Sequence, residues 1–582
     1  MFQLIPYLKG YKKESVIGPL FKLLEACFEL IVPLVMAKII DVGIENRDML
    51  YILKMGGVLI LLGVIGLACS LTAQYFAAKA AVGFGTELRH DLFRHISTLS
   101  YQEIDQVGSA TLVTRMTSDI NQVQSGVNLV LRLFLRSPFI VVGAVVMAFT
   151  VNFRLAWIFV VAVPLLSIVI YGIMMITIPI YKKVQKGLDQ ILLTTRENLA
   201  GIRVIRAFLT QKEEQKAFEK ESHTLMQDQL RVGWISALMN PLTYLIVNGA
   251  IIVLVWAGAF EVNTGKVSQG EMIALVSYMT QILIALVALA NLIVSFTKAL
   301  ASAGRINEVF AICTTIESPK SRMEKVSDKK CEAVLFDHVQ FRYHGSKEPA
   351  LSDVTFSVSK GETVGIIGGT GSGKSTLVNL IPRFYDASEG RVLFDGADVK
   401  EYPMEKLRGK IGIVPQKATL FRGTIRANIQ WGKQDATDEE IYEALEIAQA
   451  KEFVQEKPKA LDTMISQGGK NLSGGQRQRL TIARALVRKP EVLILDDSAS
   501  ALDFATDAKL RKAIAERTKD MTVFLVSQRA ASILHADKII VMDDGMVAGI
   551  GTHQQLLKTC EVYREICYSQ LSKEEVEQYE KE

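Results

Sequence analysis

The sequence has few of the features that mark a disulfide-bonded or metal-binding protein. It contains six cysteines in 582 residues, and they are scattered without a CxxC spacing. We therefore expect reduced or incidental thiols rather than a disulfide framework or a zinc site. An excess of charge is lacking too, since 66 Lys and Arg oppose 61 Asp and Glu, a net charge of +5. So small an excess does not indicate a nucleic-acid-binding protein.

Polar composition is also limited. Charged residues form 22% of the chain against 49% hydrophobic residues, and the mean hydropathy is +0.24. This composition excludes a disordered chain and argues against a wholly soluble enzyme. The pattern changes near residue 315, where long apolar segments give way to short β-branched runs that alternate with polar helices. The sequence therefore predicts two unlike halves joined by a polar linker.

Six apolar segments in the first half are each long enough for the roughly 20 helical residues that cross a bilayer. We predict helices because a helix satisfies its own backbone hydrogen bonds in lipid. The first segment is too long for a signal peptide and contains Glu25 and Glu29. The predicted spans are residues 16–42, 51–78, 126–151, 155–181, 235–262 and 272–296.

The loops between these spans predict the orientation. The two long connections, 79–125 and 182–234, are rich in Lys and Arg, which places them in the cytoplasm with both termini and the second half. Residues 80–99 and 181–230 have helical apolar spacing, so we expect the spans to continue as helices about 30 Å beyond the bilayer. The turns at their ends are predicted to touch a soluble domain, although a helical hairpin needs no partner.

A glycine-rich run in the second half predicts a nucleotide site. It follows a short apolar strand at 363–367 and precedes a helix, which is the setting of a P-loop. Glycines allow backbone N–H groups to converge on phosphate oxygens. Lys374 can then reach the β- and γ-phosphates, and the Ser375 hydroxyl suits Mg²⁺. The run comprises Gly368, Gly369, Thr370, Gly371, Ser372, Gly373, Lys374, Ser375 and Thr376, and we expect it to bind ATP.

Two further motifs lie downstream of the P-loop. An apolar strand at 492–495 ends in Asp496, whose carboxylate suits Mg²⁺ or its water. Between the P-loop and this strand, a turn of small residues leads into a helix and forms a second potential anion-binding helix N-terminus. The sequence leaves open whether this turn serves the same nucleotide or that of another chain. It consists of Leu472, Ser473, Gly474, Gly475 and Gln476.

With Gln416 in a VPQ segment and the run SALD at 500–503, these motifs occur in the order of an ABC-transporter ATPase domain. The whole chain resembles a half-transporter of the ABC exporter type. The resemblance implies an all-α six-helix transmembrane domain followed by an α/β P-loop ATPase domain. It also implies that Tyr343 stacks on adenine, that Gln416 senses Mg²⁺ and contacts the membrane domain, and that Asp503 contacts a dimer partner. The loop tips 101–105 and 198–203 become the coupling elements.

The implied organisation is a transmembrane domain at 1–313, a linker at 314–332, an ATPase domain at 333–570 and a charged tail at 571–582. The resemblance places the protein in a bacterial plasma membrane as a multi-pass protein. Its cofactors would be ATP and Mg²⁺, with Ser375, Gln416 and Asp496 at the metal. No nucleic-acid partner is expected.

Two positions depart from the pattern of hydrolytic relatives. Asp497 follows Asp496 where those relatives carry glutamate, and its shorter side chain withdraws a potential general base by more than about 1 Å. Gln528 stands where they carry a switch histidine, and glutamine cannot become a cation. Gln467, five residues before the small-residue turn, also replaces a common glutamate. We expect a catalytic site that binds ATP and hydrolyses it poorly; the alternative is drift with retained activity.

The resemblance implies that the ATPase domains dimerise head to tail, with each nucleotide between one chain's P-loop and the other chain's small-residue turn. The intact motifs then favour a heterodimer. A homodimer would have two impaired sites, whereas a non-identical half-transporter with Glu and His could use the turn at 472–476 to complete a competent site. The predicted function is ATP-driven export of amphipathic or hydrophobic compounds of the multidrug type. The alternatives are a nucleotide-gated regulatory subunit and a homodimeric lipid or peptide exporter.

Charged residues inside the predicted spans need partners because charge in hydrocarbon is costly. Glu25 and Glu29 share one helix face, and Arg132 and Arg136 share another at similar depth. We expect the two pairs to neutralise each other as a structural ion cluster. The alternative is an acidic patch that binds cationic drugs, so the expected partners include the lipid bilayer and hydrophobic or cationic small molecules.

Overall fold

The structure is a computed structural model that describes residues 2–319, 332–498, 501–518 and 520–571. Most of the predicted linker, nearly all of the predicted tail, and Ser500 in the SALD run lie outside the described residues. The chain divides into two compact units, Met1–Ser97 with Ala110–Ile312 and Thr98–Ser109 with Cys313–Glu582. The short segment 98–109 therefore groups with the second unit, although its neighbours in sequence belong to the first.

The described part of the first half is helical. A 3₁₀ segment, Phe2–Tyr11, precedes the first long helix. The helices are α1 Lys12–Lys38, α2 Met49–Thr98, α3 Tyr101–Val107, α4 Ser109–Thr114, α5 Ile120–Leu133, α6 Arg136–Val151, α7 Phe153–Ala200, α8 Ile202–Ala207, α9 Gln211–Ala237, α10 Met239–Asn263 and α11 Gln269–Phe310.

Five helical segments in the described part of the chain are long and apolar enough to cross a membrane: Met49–Thr98, Ser109–Val151, Phe153–Ala200, Gln211–Asn263 and Gln269–Phe310. The first predicted span falls in α1, which carries Lys22, Glu25 and Glu29 and is not among them. The number six therefore stays a prediction. At 50 residues, α2 is about 75 Å long, far more than a bilayer's hydrocarbon needs, so the predicted helical extension is confirmed there.

Proline in α1 removes a backbone hydrogen bond, and side chains of a neighbouring helix donate replacement hydrogen bonds. Pro33 has no N–H for the carbonyl of Glu29, four residues earlier in α1. The Gln281 side chain in α11 donates a long hydrogen bond, 3.5 Å, to that carbonyl. The buried Tyr278 hydroxyl donates to the next carbonyl, that of Leu30, at 2.7 Å. Such substitute partners explain why membrane helices tolerate proline.

Regular helical hydrogen bonding is interrupted within the predicted span at 126–151, although the backbone dihedral angles of Phe134 and Leu135 stay helical. The span divides into α5 and α6 at residues 134 and 135. Pro138 contributes to this break because it offers no N–H to the carbonyl of Phe134. Arg132 and Arg136 consequently flank the break rather than lying on one regular helix.

Close packing of α5 against α11 depends on one glycine. A Cβ atom at Gly126 would lie 2.3 Å from Ala299 Cβ, which is rigidly attached to its backbone. We predict that Gly126→Ala lowers the stability of the first unit by about 1–3 kcal/mol, the usual cost of overpacking. Thermal unfolding in detergent measures the shift as a loss of several degrees. Gly249→Ala in α10 is the matched control, since no heavy atom lies within 4 Å of its added Cβ; equal melting of both variants contradicts the prediction.

The second unit is an α/β domain. Its strands are β1 Glu332–Phe341, β2 Leu351–Ser359, β3 Thr363–Gly368, β4 Glu389–Phe394, β5 Ala397–Asp398, β6 Ile411–Val414, β7 Gly423–Thr424, β8 Met464–Ile465, β9 Val492–Asp496, β10 Thr522–Val526, β11 Lys538–Asp543 and β12 Met546–Gly551. Its remaining helices are α12 Lys374–Leu380, α13 Met404–Lys410, α14 Ile425–Gln430, α15 Asp438–Ile447, α16 Lys451–Gln455, α17 Gly474–Leu486, α18 Phe504–Arg517, α19 His553–Thr559 and α20 Glu561–Gln570.

The strands form a six-stranded sheet in the order β12-β11-β3-β10-β9-β6, a four-stranded sheet in the order β2-β1-β4-β5, and the pair β7-β8. In the larger sheet β12 is the antiparallel edge, and the other five strands are parallel. Strands β3, β9 and β10 are almost wholly buried, as expected for parallel strands covered on both faces. The antiparallel sheet uses alternating burial instead, most clearly in β2.

The parallel register determines where the site lies. Val526 at the end of β10 pairs with both Ile366 in β3 and Asp496 in β9. Val414 at the end of β6 pairs with Leu495. The loops that follow these four strands therefore leave the sheet at one edge, where open α/β sheets bind their ligands.

Candidate nucleotide-binding site

The P-loop has the backbone conformation that its glycines predict. Gly371 and Gly373 have φ values of +86° and +92°, which side chains with a Cβ rarely adopt. At Gly373 a Cβ would also lie 2.8 Å from the carbonyl oxygen of Ala350. The predicted strand 363–367 is confirmed as β3 and extends one residue further, to Gly368. The loop thus turns sharply between β3 and α12, with its backbone exposed toward the sheet edge.

Lys374 is buried and held within the loop. Its Nζ atom donates to the carbonyl oxygens of Gly368 and Gly369 at 3.0 and 2.5 Å. Burial lowers the pKa of Lys374, while nearby Asp497 and Asp496 act in the opposite direction. A phosphate group bound here would supply the full countercharge that the ammonium group lacks.

Two oxygen ligands suited to Mg²⁺ lie side by side. Ser375 Oγ donates to Asp496 Oδ1 at 2.9 Å, and Mg²⁺ prefers oxygen ligands of this kind. Burial raises the pKa of Asp496, although the hydrogen bond from Ser375 opposes the shift. A buried carboxylate that lacks a full countercharge fits a cation, so these residues would hold Mg²⁺ against the phosphates.

Gln416 and Asp497 meet at the same edge. Gln416 Nε2 donates to Asp497 Oδ2 at 3.2 Å, and the Asp497 N–H donates to the carbonyl of Val526 at 2.9 Å. The backbone of Asp497 lies in the left-handed region, with φ of +43°, where aspartate is more common than most residues. The structure therefore brings together the predicted metal ligands and the residue that replaces the expected glutamate.

Tyr343 lies beside the P-loop as well. Its hydroxyl is 3.0 Å from Thr376 Oγ1, and its ring packs edge-on against those of Phe341 and Tyr385. The residue is 37% exposed, so part of its surface is accessible to a ligand. Its role in stacking on adenine stays a prediction, but its position beside the phosphate loop agrees with that role.

The small-residue turn forms an exposed helix N-terminus. Ser473 caps α17: its Oγ accepts from the Gln476 N–H at 3.2 Å, and Gln476 Oε1 accepts from the Ser473 N–H at 3.1 Å. This capping box leaves the N–H groups of Gly474 and Gly475 in the first turn, where the helix dipole is positive. Leu472 is buried and anchors the turn. The described hydrogen bonds of these residues stay within the turn and do not reach the P-loop.

Asp503 and Gln467 make no described hydrogen bond to the P-loop or to the residues suited to Mg²⁺. Asp503 caps α18 by accepting from the backbone N–H and the hydroxyl of Thr506 at 2.9 and 2.8 Å, and these bonds lower its pKa. Gln467 is exposed in a short 3₁₀ turn. Their predicted contacts with a dimer partner and with coupling loops stay predictions.

One residue that holds the site was missed from the sequence. Gln570, at the end of α20, accepts from the Ala530 N–H and donates to the Gln528 carbonyl, both at 2.8 Å. Its amide therefore positions the loop that carries Gln528, whose own side chain is exposed. No sequence signal marks a glutamine more than 40 residues away as a support for this loop.

The segment α3 packs on the rest of the second unit. The ring of Tyr101 lies 4.6 Å from that of Phe384, and the Tyr385 hydroxyl donates to Asp105 Oδ2 at 2.6 Å. Burial, followed by the bond to Asp105, raises the pKa of Tyr385. Because Tyr385 also contacts Tyr343, a chain of aromatic rings links α3 to the nucleotide site.

A buried carboxylate fixes the other side of α3. Glu103 accepts from the Ser100 N–H at 2.7 Å and from the Thr315 hydroxyl at 2.7 Å. Burial favours a raised pKa for Glu103, but these hydrogen bonds lower it overall. The predicted loop tip 101–105 thus lies in the second unit, whereas the other tip, 198–203, lies in the first unit at the junction of α7 and α8.

Comparison with known proteins agrees with this architecture. One family model, described as the ABC transporter transmembrane region, matches residues 15–287, and a second, described as ABC transporter, matches residues 351–500. An uncharacterized ABC transporter ATP-binding protein of Bacillus subtilis (strain 168), YfiB, is 38% identical over 574 residues, which are 99% of each chain. The chain is a half-transporter of the ABC exporter family.

The half-transporter is also similar to YheI of the same organism, described as a probable multidrug resistance ABC transporter ATP-binding/permease protein. The two are 34% identical over 481 residues, which cover 82% of this chain and 81% of YheI. A solved bacterial Atm1-family ABC exporter with ATP bound has the same fold, with a TM-score of 0.79 and 23% identity over 97% of this chain and 99% of that one.

Membership of this family confirms the predicted fold class and gives the chain its general activity. As an ABC exporter half-transporter it has a membrane-spanning helical domain and an ABC ATPase domain, which implies ATP-driven transport. Such exporters act as dimers in the lipid bilayer, and their ATPase domains bind ATP, generally with Mg²⁺.

Proposed function

We propose that this half-transporter exports amphipathic or hydrophobic compounds as one half of a heterodimer, and that its own ATP site is impaired in hydrolysis. Asp497 carries the proposal, since it stands beside intact metal ligands in place of a longer carboxylate. The similarity to YheI supports the multidrug class of cargo.

The position of Asp497 supports weak catalysis. Its carboxylate accepts a hydrogen bond from Gln416 at 3.2 Å, and its backbone is tied to Val526. Aspartate is one methylene shorter than glutamate, so it reaches about 1 Å less far toward an attacking water. A misplacement of that size can cost on the order of 10²-fold in rate. The shorter side chain at residue 497 does not alter the P-loop or Asp496. ATP would therefore still bind and would mostly stay bound without being hydrolysed.

The exposed N-terminus of α17 supports a partner's site. Helix N-termini with free N–H groups bind anions, and this one makes no described contact with its own P-loop. In the proposed dimer it completes the nucleotide site of a non-identical partner that carries glutamate and histidine. ATP then stabilises the closed pair through its higher affinity for that state, and hydrolysis at the partner's site resets it.

The proposed location is a bacterial plasma membrane, with the ATPase domain and both termini in the cytoplasm. The Lys- and Arg-rich long connections support this orientation. The turns at 101–105 and 198–203 would then transmit ATPase closure to the spans.

The pairing is tested by comparing the purified chain with a co-expressed pair that includes a second half-transporter carrying Glu and His. We expect the chain alone to hydrolyse ATP about 100-fold more slowly than the pair, while a fluorescent ATP analogue binds both. Phosphate release measures the first quantity and fluorescence titration the second. Hydrolysis by the lone chain at the rate of the pair would overturn the proposal and favour a homodimeric exporter.

The role of α3 predicts a separate defect in coupling. Asp105→Ala removes the acceptor of the Tyr385 hydroxyl, and a lost hydrogen bond of this kind costs about 1 kcal/mol, or about fivefold in an equilibrium. We expect transport per ATP hydrolysed to fall about fivefold in vesicles that contain the pair. Asp105→Asn keeps an acceptor oxygen and is expected to retain coupling. If the two variants behave alike, the contact does not transmit force.

A further inference from the structure

Charged side chains lie on three helices of the first unit that pack together, α1, α5 and α6. We call Lys22, Glu25, Glu29, Arg132 and Arg136 the polar cluster, and most of them are paired. Lys22 Nζ lies 2.6 Å from Glu25 Oε2 on α1, and Arg136 Nη2 on α6 lies 2.7 Å from Glu29 Oε2. Both carboxylates therefore have a cation already. The expected neutralisation of the two acidic residues by the two arginines is realised only for Glu29 and Arg136.

Arg132 is the exception. Among the described residues no carboxylate lies within ion-pair distance of its side chain, and its buried Nε atom has no hydrogen-bond acceptor. Arg132 follows Asn128 by one helical turn on α5, and Asn128 Oδ1 is also buried without a donor. Arg136, just beyond the break, is paired through Nη2, but its Nε is buried without an acceptor. The cluster thus contains one cation more than its anions balance, together with unused donors.

We propose that Arg132, with Arg136 one helical turn further along the chain, binds the anionic group of an amphipathic molecule. The inference rests on the proposed function and gives its cargo a charge preference: amphipathic anions rather than cations. A cation would have to displace Lys22 or Arg136 from the carboxylates, whereas an anion meets the Nε donors of the two arginines, which lack acceptors. Charged side chains inside a membrane span are typically functional.

The buried Nε atoms show that both guanidinium groups are partly enclosed by protein, although each side chain is only partly buried. Arginine side chains near a span's end extend their charged group toward the interface. Here the Nε atoms of both arginines are buried, and the interruption between α5 and α6 lies between the two residues. An anion could come from cargo or from an anionic lipid of the bilayer, and the experiment below separates these sources.

The test uses three probes that share one apolar body: pyrenebutyrate, pyrenebutanol and pyrenebutyltrimethylammonium. Each is titrated into the full-length chain in phosphatidylcholine nanodiscs, and energy transfer from tryptophan reports binding. We expect Arg132→Gln to weaken pyrenebutyrate binding about tenfold, as loss of a charge-assisted hydrogen bond implies, and to leave the neutral and cationic probes unchanged. Arg132→Lys, which keeps the charge, is expected to retain most of the affinity.

The matched control is Arg47→Gln, the same change at an exposed arginine, with thermal unfolding measured for every variant. Unchanged pyrenebutyrate binding in Arg132→Gln, or equal weakening of all three probes, would overturn the proposal. If phosphatidylglycerol in the nanodisc weakens binding to the wild type but not to Arg132→Gln, the anion site stands and its occupant is a lipid headgroup. Because the titration needs neither ATP nor a partner, its outcome is independent of the proposed pairing.

Discussion

Replacing Gly474 by Asp in this chain alone should lower ATP hydrolysis by the assembled pair at least about 100-fold. In the proposed dimer, the first turn of α17 donates N–H groups to the partner's ATP, and an aspartate side chain there would block the approach of the phosphates to these donors. Loss of such donor contacts costs about 10²–10³-fold in rate. A carboxylate at this turn also repels the phosphates. The substitution is gentle for the fold, because the nearest heavy atom to an added Cβ is 4.0 Å away and Asp is favourable at a helix N-terminus.

Phosphate release by the purified pair measures this loss, and Gly409→Asp provides the control. Gly409 is exposed on α13 and has no heavy atom within 4 Å of an added Cβ, so it accepts the same charge away from the site. ATP binding at this chain's own P-loop should survive both changes. A pair that keeps its hydrolysis with Gly474→Asp would show that α17 does not complete a catalytic site.

Restoring the missing groups should have the opposite effect. In a pair whose partner is inactivated at its catalytic glutamate, only this chain's site can turn over ATP. We expect Asp497→Glu combined with Gln528→His to raise hydrolysis about 100-fold, because the longer carboxylate recovers about 1 Å of reach and histidine can carry a proton. Measured phosphate release should rise mostly with Asp497→Glu.

The control for this gain is Asp497→Asn with Gln528→His, which lacks the carboxylate and should stay inactive. Glutamate adopts a positive φ, such as that of residue 497, less readily than aspartate does. We therefore expect a small loss of thermal stability together with the gain in hydrolysis rate. Equal hydrolysis before and after the double substitution would mean that these two positions do not limit catalysis.

The fold was largely predictable because its signals are local. Apolar runs predict the helices of the first half, and the apolar segments 363–367 and 492–495 predict β3 and β9, each of which extends one residue further. Pro138 indicates a kink in the third predicted span, and the structure interrupts the helix just before it, between α5 and α6. A proline in a span allows either a kink or an interruption, and the choice depends on packing against other helices.

The site was predictable only where a motif carries its own chemistry. The P-loop, Asp496 and the turn at Ser473 follow from residue type and spacing, and the structure gives them the expected backbone. The support from Gln570 and the contact between Asp105 and Tyr385 join residues far apart in sequence. Such contacts depend on the tertiary fold, and so does the choice of Lys22 rather than an arginine as the partner of Glu25.

The grouping of residues 98–109 with the ATPase unit limits how the protein can be dissected. A fragment cut at residue 313 would leave behind a piece that shields the Phe384 ring and completes the hydrogen bonding of Thr315. Such a fragment would expose the Phe384 ring to water, and its first residues, near Thr315, would lose the hydrogen bonds that hold them. The ATPase unit is therefore not a continuous piece of the chain. An isolated ATPase domain for biochemical work would need residues 98–109 fused to it or added as a peptide.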